Sequence, residues 1–425
     1  MAVRDATTLA ETAARQWGAA AVRVARPAGS PAGHADTLVL EPSDAAVAGD
    51  MLRWAEGERV AVVPCGGGTK LRWDASPTHL DAVLSTARLT TGIEHCAGDL
   101  TAVLPAGATL ASVNDRLGRE RQWLTLDPAH ARATIGGIVA TNDSGPRRHR
   151  FGAPRDLIIG IEMVLVDGRK AKAGGRVVKN VAGYDLSRLM CGSYGSLAVI
   201  TSATFKLSPI APASRTVVMD VPNLATLGDL LRDLVEAPLT PSACEIDAPP
   251  LRLLVRLEST ELSAEHQSAA AVAIAGRRGT NALVVTGDAE TELWRTRESA
   301  VWTSEGTLIK VAVLPSDVPA MLEHVARLSA SGSVTYRAGG RAALGVLFVR
   351  LSGRAETHPS IVTDLRRAAH ASGRGSVVVL EADSALRATI DVWGEIGDAL
   401  PVMRAVKVRF DPHGTLSPGR GPGGL

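Results

Sequence analysis

The sequence predicts an α+β protein of two domains, and three observations carry that expectation. A strand–helix–strand run over residues 36–64 ends directly in a glycine loop, Cys65-Gly-Gly-Gly-Thr-Lys70. Two more glycine-studded segments, residues 133–145 and 179–201, flank a plain strand–turn–strand. Beyond a boundary near residue 210, marked by Pro209, Pro212 and Pro222, the pattern changes to longer helices between strands.

A chain of 425 residues is too long for one ordinary core and long enough for two or three domains. With 45% hydrophobic and 21% charged residues, the composition is that of a soluble globular protein. Aromatic residues make up only 3%, which argues against a base-stacking platform. The 46 basic and 44 acidic residues nearly balance, so no nucleic-acid partner is expected. Cys65, Cys96, Cys191 and Cys244 form no C-x-x-C pair. They read as reduced, partly buried residues of a cytoplasmic protein, not as zinc or iron–sulfur ligands. The N-terminus lacks a signal-peptide pattern, and no window approaches the ~18–20 apolar residues of a membrane span. Direct membrane insertion is not expected, and membrane association would run through a partner.

Residues 1–34 read as an N-terminal extension with a helix over 7–17. A strand covers 36–41. Ser43 caps a helix running to Trp54, with Asp44 favourable in its first turn. A second strand, 59–64, leads into Gly66, Gly67 and Gly68, where backbone N–H groups can converge on an anion. Neither the P-loop nor the G-x-G-x-x-G pattern is present, and a tight turn with no ligand is the alternative. A strand and turn occupy 81–93, and a strand 99–105. A helix then opens at 107–109, with Leu110, Val113, Asn114 and Leu117 at helical spacing. A short strand at 123–126 ends in the Asp127-Pro128 turn.

The stretch 134–140 reads as a helix whose Gly136 and Gly137 cost about 1 kcal/mol each relative to Ala. Such residues suit a close approach to a ligand or, alternatively, tight helix–sheet packing. Residues 144–152 form a basic loop. Residues 157–166 form a strand with Ile159, Ile161, Met163 and Leu165 on one face, and Asp167-Gly168 makes the hairpin turn. Asp185 caps a helix over 186–191, and 197–207 is a β-branched strand. In the second domain, helices are expected at 224–235, 265–276, 290–301, 319–330 and 360–371. Strands are expected at 251–257, 282–286, 308–314, 343–351 and 376–380, as an open, mostly antiparallel sheet with helices on one face. The tail from Val406 reads as Gly/Pro turn chemistry. Domain bounds are therefore 1–34, 35–210, 211–400 and a tail of 401–425.

The Gly66–Gly68 loop, Ala133-Thr-Ile-Gly-Gly137, Gly192-Ser-Tyr-Gly-Ser-Leu-Ala-Val-Ile-Thr201 and Phe410-Asp-Pro-His-Gly-Thr-Leu-Ser-Pro-Gly-Arg420 together resemble the vanillyl-alcohol-oxidase (PCMH-type) FAD-binding family. Ser144-Gly-Pro-Arg-Arg148 and residues 178–189 narrow the resemblance to the E-type FAD-binding subunit of glycolate oxidase (glycolate dehydrogenase). The resemblance covers 35–210 and the tail well, and 210–400 loosely. It implies a two-subdomain FAD-binding domain, a second α+β domain as a cap, and a tail that returns to the FAD domain.

It also implies FAD contacts. Gly66, Gly67, Gly68 and Thr69 would meet the pyrophosphate. Thr134, Ile135, Gly136 and Gly137 would add helix-terminal donors and close approach. Asn142, Ser144 and Gly145 would line the cofactor, and Ile200 would meet it through backbone atoms. Members that hold FAD covalently use a His in or near the glycine loop. Cys65 and Gly66 stand there in this chain and the nearest His is His79, so FAD is expected to be non-covalent.

Relatives that oxidise 2-hydroxy acids themselves often carry a paired-His metal site and a Glu-His-Gly motif. Neither is present, and His266, His324, His358 and His370 lack ligand spacing, so no metal is expected. Arg147, Arg148, Lys179 and His413 are the candidates for contact with substrate or flavin.

The activity implied is oxidation of glycolate to glyoxylate by hydride transfer to flavin N5, with electrons passed to an iron–sulfur subunit beside a sister FAD subunit. The alternatives are a non-catalytic electron-relay and assembly subunit, and a stand-alone FAD oxidoreductase of another alcohol or polyol.

Overall fold

The computed structural model describes residues 5–26, 36–176, 183–302, 305–330, 334–371 and 373–425. Residues 177–182, which include Lys179 and the start of the second glycine-studded segment, lie outside them. So do 1–4 and 27–35 of the N-terminal stretch. The chain divides into two units. The first comprises Met1–Ser144, Gly152–Ile210 and Glu395–Leu425, and the second Gly145–Phe151 and Ala211–Gly394.

In chain order the first part contains α1 (Ala6–Trp17), β1 (Val22–Ala25), β2 (Thr37–Leu40), α2 (Ala45–Gly57), β3 (Val62–Cys65), β4 (Ala82–Ser85), β5 (Glu94–Cys96), β6 (Thr101–Pro105), α3 (Leu110–Leu117), β7 (Gln122–Trp123) and α4 (Ile135–Thr141). Then follow α5 (Arg148–Phe151), which belongs to the second unit, α6 (Pro154–Leu157), β8 (Ile158–Val164), β9 (Lys170–Gly174), α7 (Leu186–Met190), β10 (Val199–Lys206) and β11 (Ser208–Pro209).

The first unit holds two main sheets, each with its own core. One runs β1-β2-β4-β3, parallel except for the β1 edge. Every residue of β2 and β4 is buried, as expected where both faces of a parallel sheet are covered. Met51, Leu52 and Ala55 of α2 pack on it. The other sheet runs β5-β6-β10-β8-β9, antiparallel throughout. Its core takes Leu104, Ile161, Met163, Ala203 and Phe205, with Ile135 and Ile138 of α4 against them.

Most local expectations for this unit hold. The helix expected to open at 107–109 starts after Thr109, its N-cap; Asp185 is an N-cap, and Gly168 turns the β8–β9 hairpin at φ +81°. The cap of α2 differs. Asp44, not Ser43, accepts from the N–H groups of Ala46 (2.7 Å) and Val47 (3.1 Å), while Ser43 Oγ donates to Asp44 (3.0 Å). A carboxylate met by three donors is the stronger cap. The strand at 123–126 shrinks to β7, because the Leu124 N–H goes to the Asn114 side chain.

The second unit contains β12 (Ala213–Asp220), α8 (Leu224–Glu236), β13 (Ala243–Ala248), β14 (Arg252–Ser259), α9 (Glu261–Arg277), β15 (Asn281–Thr286), α10 (Gly287–Val301), β16 (Thr307–Ala312), α11 (Val318–Ala330), β17 (Val334–Arg341), β18 (Val346–Gly353), α12 (His358–Ala371), β19 (Ser376–Glu381) and α13 (Ser384–Thr389). Its eight strands form one antiparallel sheet, β15-β12-β14-β13-β17-β18-β16-β19. Sequence reasoning missed β12, β13 and β17. The last two sit at the middle of the sheet, yet carry Glu245, Asp247, Arg341 and two consecutive glycines where apolar residues are the usual signal.

Helices on one face alone do not describe this sheet. While α8, α9, α11 and α12 pack side by side, Trp294 of α10 packs with Leu254 and Val218. Its indole N–H donates to Thr216 (2.9 Å). Val217 and Leu253, on the alternate positions, are also buried, so both faces are covered. After α13 the chain forms α14 (Ala399–Phe410), which belongs to the first unit.

Candidate functional site

A cleft of about 690 Å³ opens in the first unit, between its two main sheets. The end of β3 and the glycine loop line one side, through Cys65, Gly66, Gly67, Gly68, Thr69 and Lys70. The opposite wall comes from Thr134, Gly136, Gly137 and Thr141 of the α4 region and from Tyr194, Gly195 and Ile200.

The packing explains the small residues. A Cβ on Gly67 would collide with the Arg132 carbonyl oxygen, and one on Gly66 with Thr134 Oγ1. A Cβ on Gly136 would lie 2.9 Å from that of Ala106. At Gly67 the clash is with backbone, and at Gly66 and Gly136 it is with the short side chains of Thr134 and Ala106, so a Cβ at any of these places forces its neighbours to move. Among the described residues, the amides of Gly66, Gly67, Thr69 and Lys70 donate to no protein acceptor. A run of free donors beside a cleft is a cradle for an anion.

The α4 terminus behaves differently. Its Ile135 N–H goes to Ala108 O (2.9 Å) and its Gly136 N–H to Ala106 O (2.8 Å), and the Gly137 N–H faces Thr134 Oγ1 at 3.4 Å. The expected helix-terminal donors are therefore already in use, and Gly136 and Gly137 supply close approach instead.

The remaining sequence candidates fall elsewhere. Ile135 is core. Asn142 ends α4 at φ +48°, its side chain accepting from the Arg155 N–H (3.2 Å). Ser144 is buried and does not line the cleft. Gly145 belongs to the second unit, where its carbonyl accepts from Arg341 (3.1 Å). His413 lies in the exposed turn after α14.

Arg147 and Arg148 also belong to the second unit. Arg147 grips the Glu258 carboxylate with two hydrogen bonds, 3.1 and 3.0 Å, and Arg150 donates to the Glu258 carbonyl (2.9 Å). Burial pushes the Glu258 carboxyl up, but Arg147 and then Arg256 outweigh it and hold it below its ordinary 4.5. The stability this confers is present above that value and is lost as pH falls through the depressed folded one. Arg147→Ala strands a buried carboxylate, so unfolding stability should fall by about 3 kcal/mol, measured by urea denaturation at neutral pH. The loss should shrink in acid.

Sequence reasoning missed Lys70, Tyr194 and Arg420. Arg420 reaches the cleft because the C-terminal tail is built into the first unit. The Val62 N–H donates to Thr415 O (2.7 Å) and the Ser417 N–H to Val62 O (2.8 Å), so the tail pairs with β3. Arg420 then donates to Leu71 O (3.2 Å) and Trp73 O, while the Gly421 N–H caps Asp74 (2.6 Å). Arg420 closes the tail motif, but nothing in the spacing of that motif points to a cleft.

Cofactor chemistry can be tested against these walls. The cleft offers donors to an anion, flat close-approach surfaces and the buried cations Lys70 and Arg420. That combination fits a flavin dinucleotide. The family comparisons agree. A family model described as the FAD binding domain matches residues 37–174, and one described as FAD linked oxidases, C-terminal domain, matches 247–374. The fold is the PCMH-type FAD-binding fold, and the matched parts are an FAD-binding domain and a C-terminal domain like that of FAD-linked oxidases.

Among curated proteins, it is 38% identical over 172 residues to a D-lactate dehydrogenase of Archaeoglobus fulgidus, covering 40% of this chain and 39% of that enzyme. It is 26% identical over 424 residues to glycolate oxidase subunit GlcD of Bacillus subtilis, covering 90% and 88%. Against glycolate oxidase subunit GlcE of Escherichia coli it is 34% identical over 229 residues, covering 52% and 60%. The chain thus spans about two fifths of the archaeal enzyme and three fifths of GlcE, but most of GlcD. Among solved structures, an alkyldihydroxyacetonephosphate synthase matches with a TM-score of 0.70 at 14% identity, covering 91% of this chain and 77% of that one. A chitooligosaccharide oxidase matches at 0.69 and 15%, covering 97% and 98%. At such identities these two speak for the fold alone.

Among the described residues, no group of three His, Cys, Asp or Glu side chains could hold a metal ion, and no helix is long and apolar enough to cross a membrane.

Proposed function

We propose that the chain is the E-type FAD-binding subunit of a glycolate oxidase complex and oxidises glycolate, or a close 2-hydroxy acid, with a sister FAD subunit and an iron–sulfur subunit as partners. The observation that carries the cofactor assignment is the cradle of four unpaired amides in a cleft where a Cβ on Gly66, Gly67 or Gly136 would clash. Support for the substrate class comes from the similarity to proteins named for glycolate and D-lactate. Two of these are named as subunits, which supports the partner assignment and, through GlcE, the choice of the E-type subunit.

When bound, FAD would supply the hydride acceptor at its N5. The chain's own residues would hold it. Gly66, Gly67 and Thr69 would donate to the pyrophosphate, Gly68, whose amide faces the Cys65 sulfur, would turn the loop at φ +71°, Thr134, Gly136 and Gly137 would allow the close approach, and Ile200 would present backbone to the cofactor. The Cys65 thiol lines the same cleft, and burial pushes its pKa up to about 11. A thiol kept protonated at neutral pH is a poor nucleophile, and this favours non-covalent FAD. Acid precipitation should therefore leave the yellow colour in the supernatant, and colour in the pellet would refute non-covalent binding.

A second reading, electron relay without substrate oxidation, is favoured by one observation. Arg147, one of the candidates for a substrate carboxylate, turns its Nε and Nη2 to Glu258 instead. Anaerobic addition of glycolate to the purified chain separates the two. Bleaching of the flavin absorbance is expected. If bleaching needs an added partner subunit, the relay reading stands instead.

A further inference from the structure

We propose that Lys70 is a direct ligand of the cofactor's electronegative edge and that Asp143 is the residue that positions it. This rests on the assignment of FAD to the cleft. Lys70 follows the glycine loop at once and lines the same cleft. Its side chain is 5% exposed, as is that of Asp143, and Nζ lies 3.1 Å from Asp143 Oδ2. Yet neither of these two atoms makes a hydrogen bond to any protein group. The remaining neighbour of note is the Trp73 ring, whose centroid lies 5.9 Å from Nζ.

An ammonium carries three donors. One badly aligned carboxylate and a distant ring leave those donors unmet, and burying an under-bonded charge is costly. A pair selected only for stability would be expected to close into direct hydrogen bonds, as Lys407 and Asp411 do elsewhere in the same unit. The missing acceptor must therefore come from the cleft.

The loop amides are all donors, so Lys70 adds a positive charge to a cradle that already selects an acceptor. In FAD, two edges carry acceptors of that kind: the pyrophosphate oxygens and the N1–C2=O edge of the flavin ring. Asp143 is held in turn by its own N–H, which donates to Ile138 O of α4 (3.1 Å). It thereby ties the cation to the opposite wall without lining the cleft itself.

FAD titration of the stripped protein, followed by flavin fluorescence, tests this in four variants. Lys70→Met should weaken FAD binding about tenfold or more, the loss of one charged hydrogen bond. Lys70→Arg should keep most of the affinity. Asp143→Asn, which leaves the cation in place, should lose clearly less than Lys70→Met. Lys70→Met with Asp143→Leu removes both charges, so it strands neither and should fold, yet it should still bind FAD about tenfold more weakly.

Equal losses in Lys70→Met and Asp143→Asn, matched by equal drops in apo-protein melting temperature, would make the pair purely structural and overturn the proposal. Wild-type affinity in the double variant would overturn it too. A wild-type chain that takes up no FAD would instead refute the cofactor assignment. The flavin reduction potential locates the contact. A lowered potential in Lys70→Met places it at the ring edge, and weakened binding at unchanged potential places it at the pyrophosphate.

Discussion

Gly67→Ala should cost the protein its FAD. The new Cβ meets the Arg132 carbonyl oxygen, which is backbone and cannot rotate away. The loop must therefore move, and with it the unpaired amides of Gly66, Gly67, Thr69 and Lys70. Overpacking of this kind costs about 1–3 kcal/mol in stability. If a similar amount is lost from the cradle, FAD affinity falls by about tenfold or more. Gly118→Ala is the control. A Cβ there would meet no atom within 4 Å, and its φ of −60° is ordinary for a helix, so this variant should leave both FAD content and melting temperature where they are. Flavin absorbance per protein, read beside a thermal melt, checks both variants. A Gly67→Ala protein that retains wild-type FAD would show that the loop does not hold the cofactor.

The second large effect is expected at Asp411, where the tail is anchored. Lys407 Nζ donates to Asp411 (2.6 Å), Leu416 O (2.7 Å) and Ser196 O (2.9 Å). Asp411 in turn accepts from the N–H groups of Thr415 (2.9 Å) and Leu416 (2.7 Å). Asp411→Asn leaves a buried ammonium without its counter-charge and should cost about 3–5 kcal/mol.

Because the same turn delivers Thr415 and Ser417 to β3 and Arg420 to the cleft, FAD content should fall as well. Replacing Lys407 by Met in the Asp411→Asn background should recover part of the loss, since no lone charge is then buried. Burial lowers the Lys407 pKa below its ordinary 10.5, with Asp411 opposing. The unfolded chain then holds more protons in that window. Stability linked to this group is therefore full above about 10.5 and is lost as pH falls through the folded value. Without Asp411 the window should widen. Urea melts across the alkaline range measure it.

These two sites show how unevenly the fold could be read from the sequence. The Asp185 cap, the helix start at 107–109 and the Asp167-Gly168 hairpin were legible because each depends on its own few residues. So was the glycine loop, whose composition departs from that of a core. The second-unit strands β13 and β17 were not, because the charges of β13 meet a helix remote in sequence: Arg297 of α10 lies 2.9 Å from both the Glu245 and the Asp247 carboxylates. Nor was α14 legible. It has a proline near its start, and Lys407 is its one buried residue, so it shows no apolar stripe to read.

In the candidate site, the glycines were visible but the use of α4 was misjudged. Whether an N–H is free depends on Ala106 and Ala108, which lie far away in sequence. Lys70 stands in plain view at the end of the glycine loop, but its pairing with Asp143, like the reach of Arg420 to the cleft, comes from tertiary contacts that no local pattern encodes.

The most direct test is the flavin content of the chain purified by itself. The expected result is a yellow protein that carries, or takes up on titration, FAD stoichiometric with the chain, released by acid and lost in Gly67→Ala. A colourless, folded protein that binds no added FAD would contradict the assignment of FAD to the cleft.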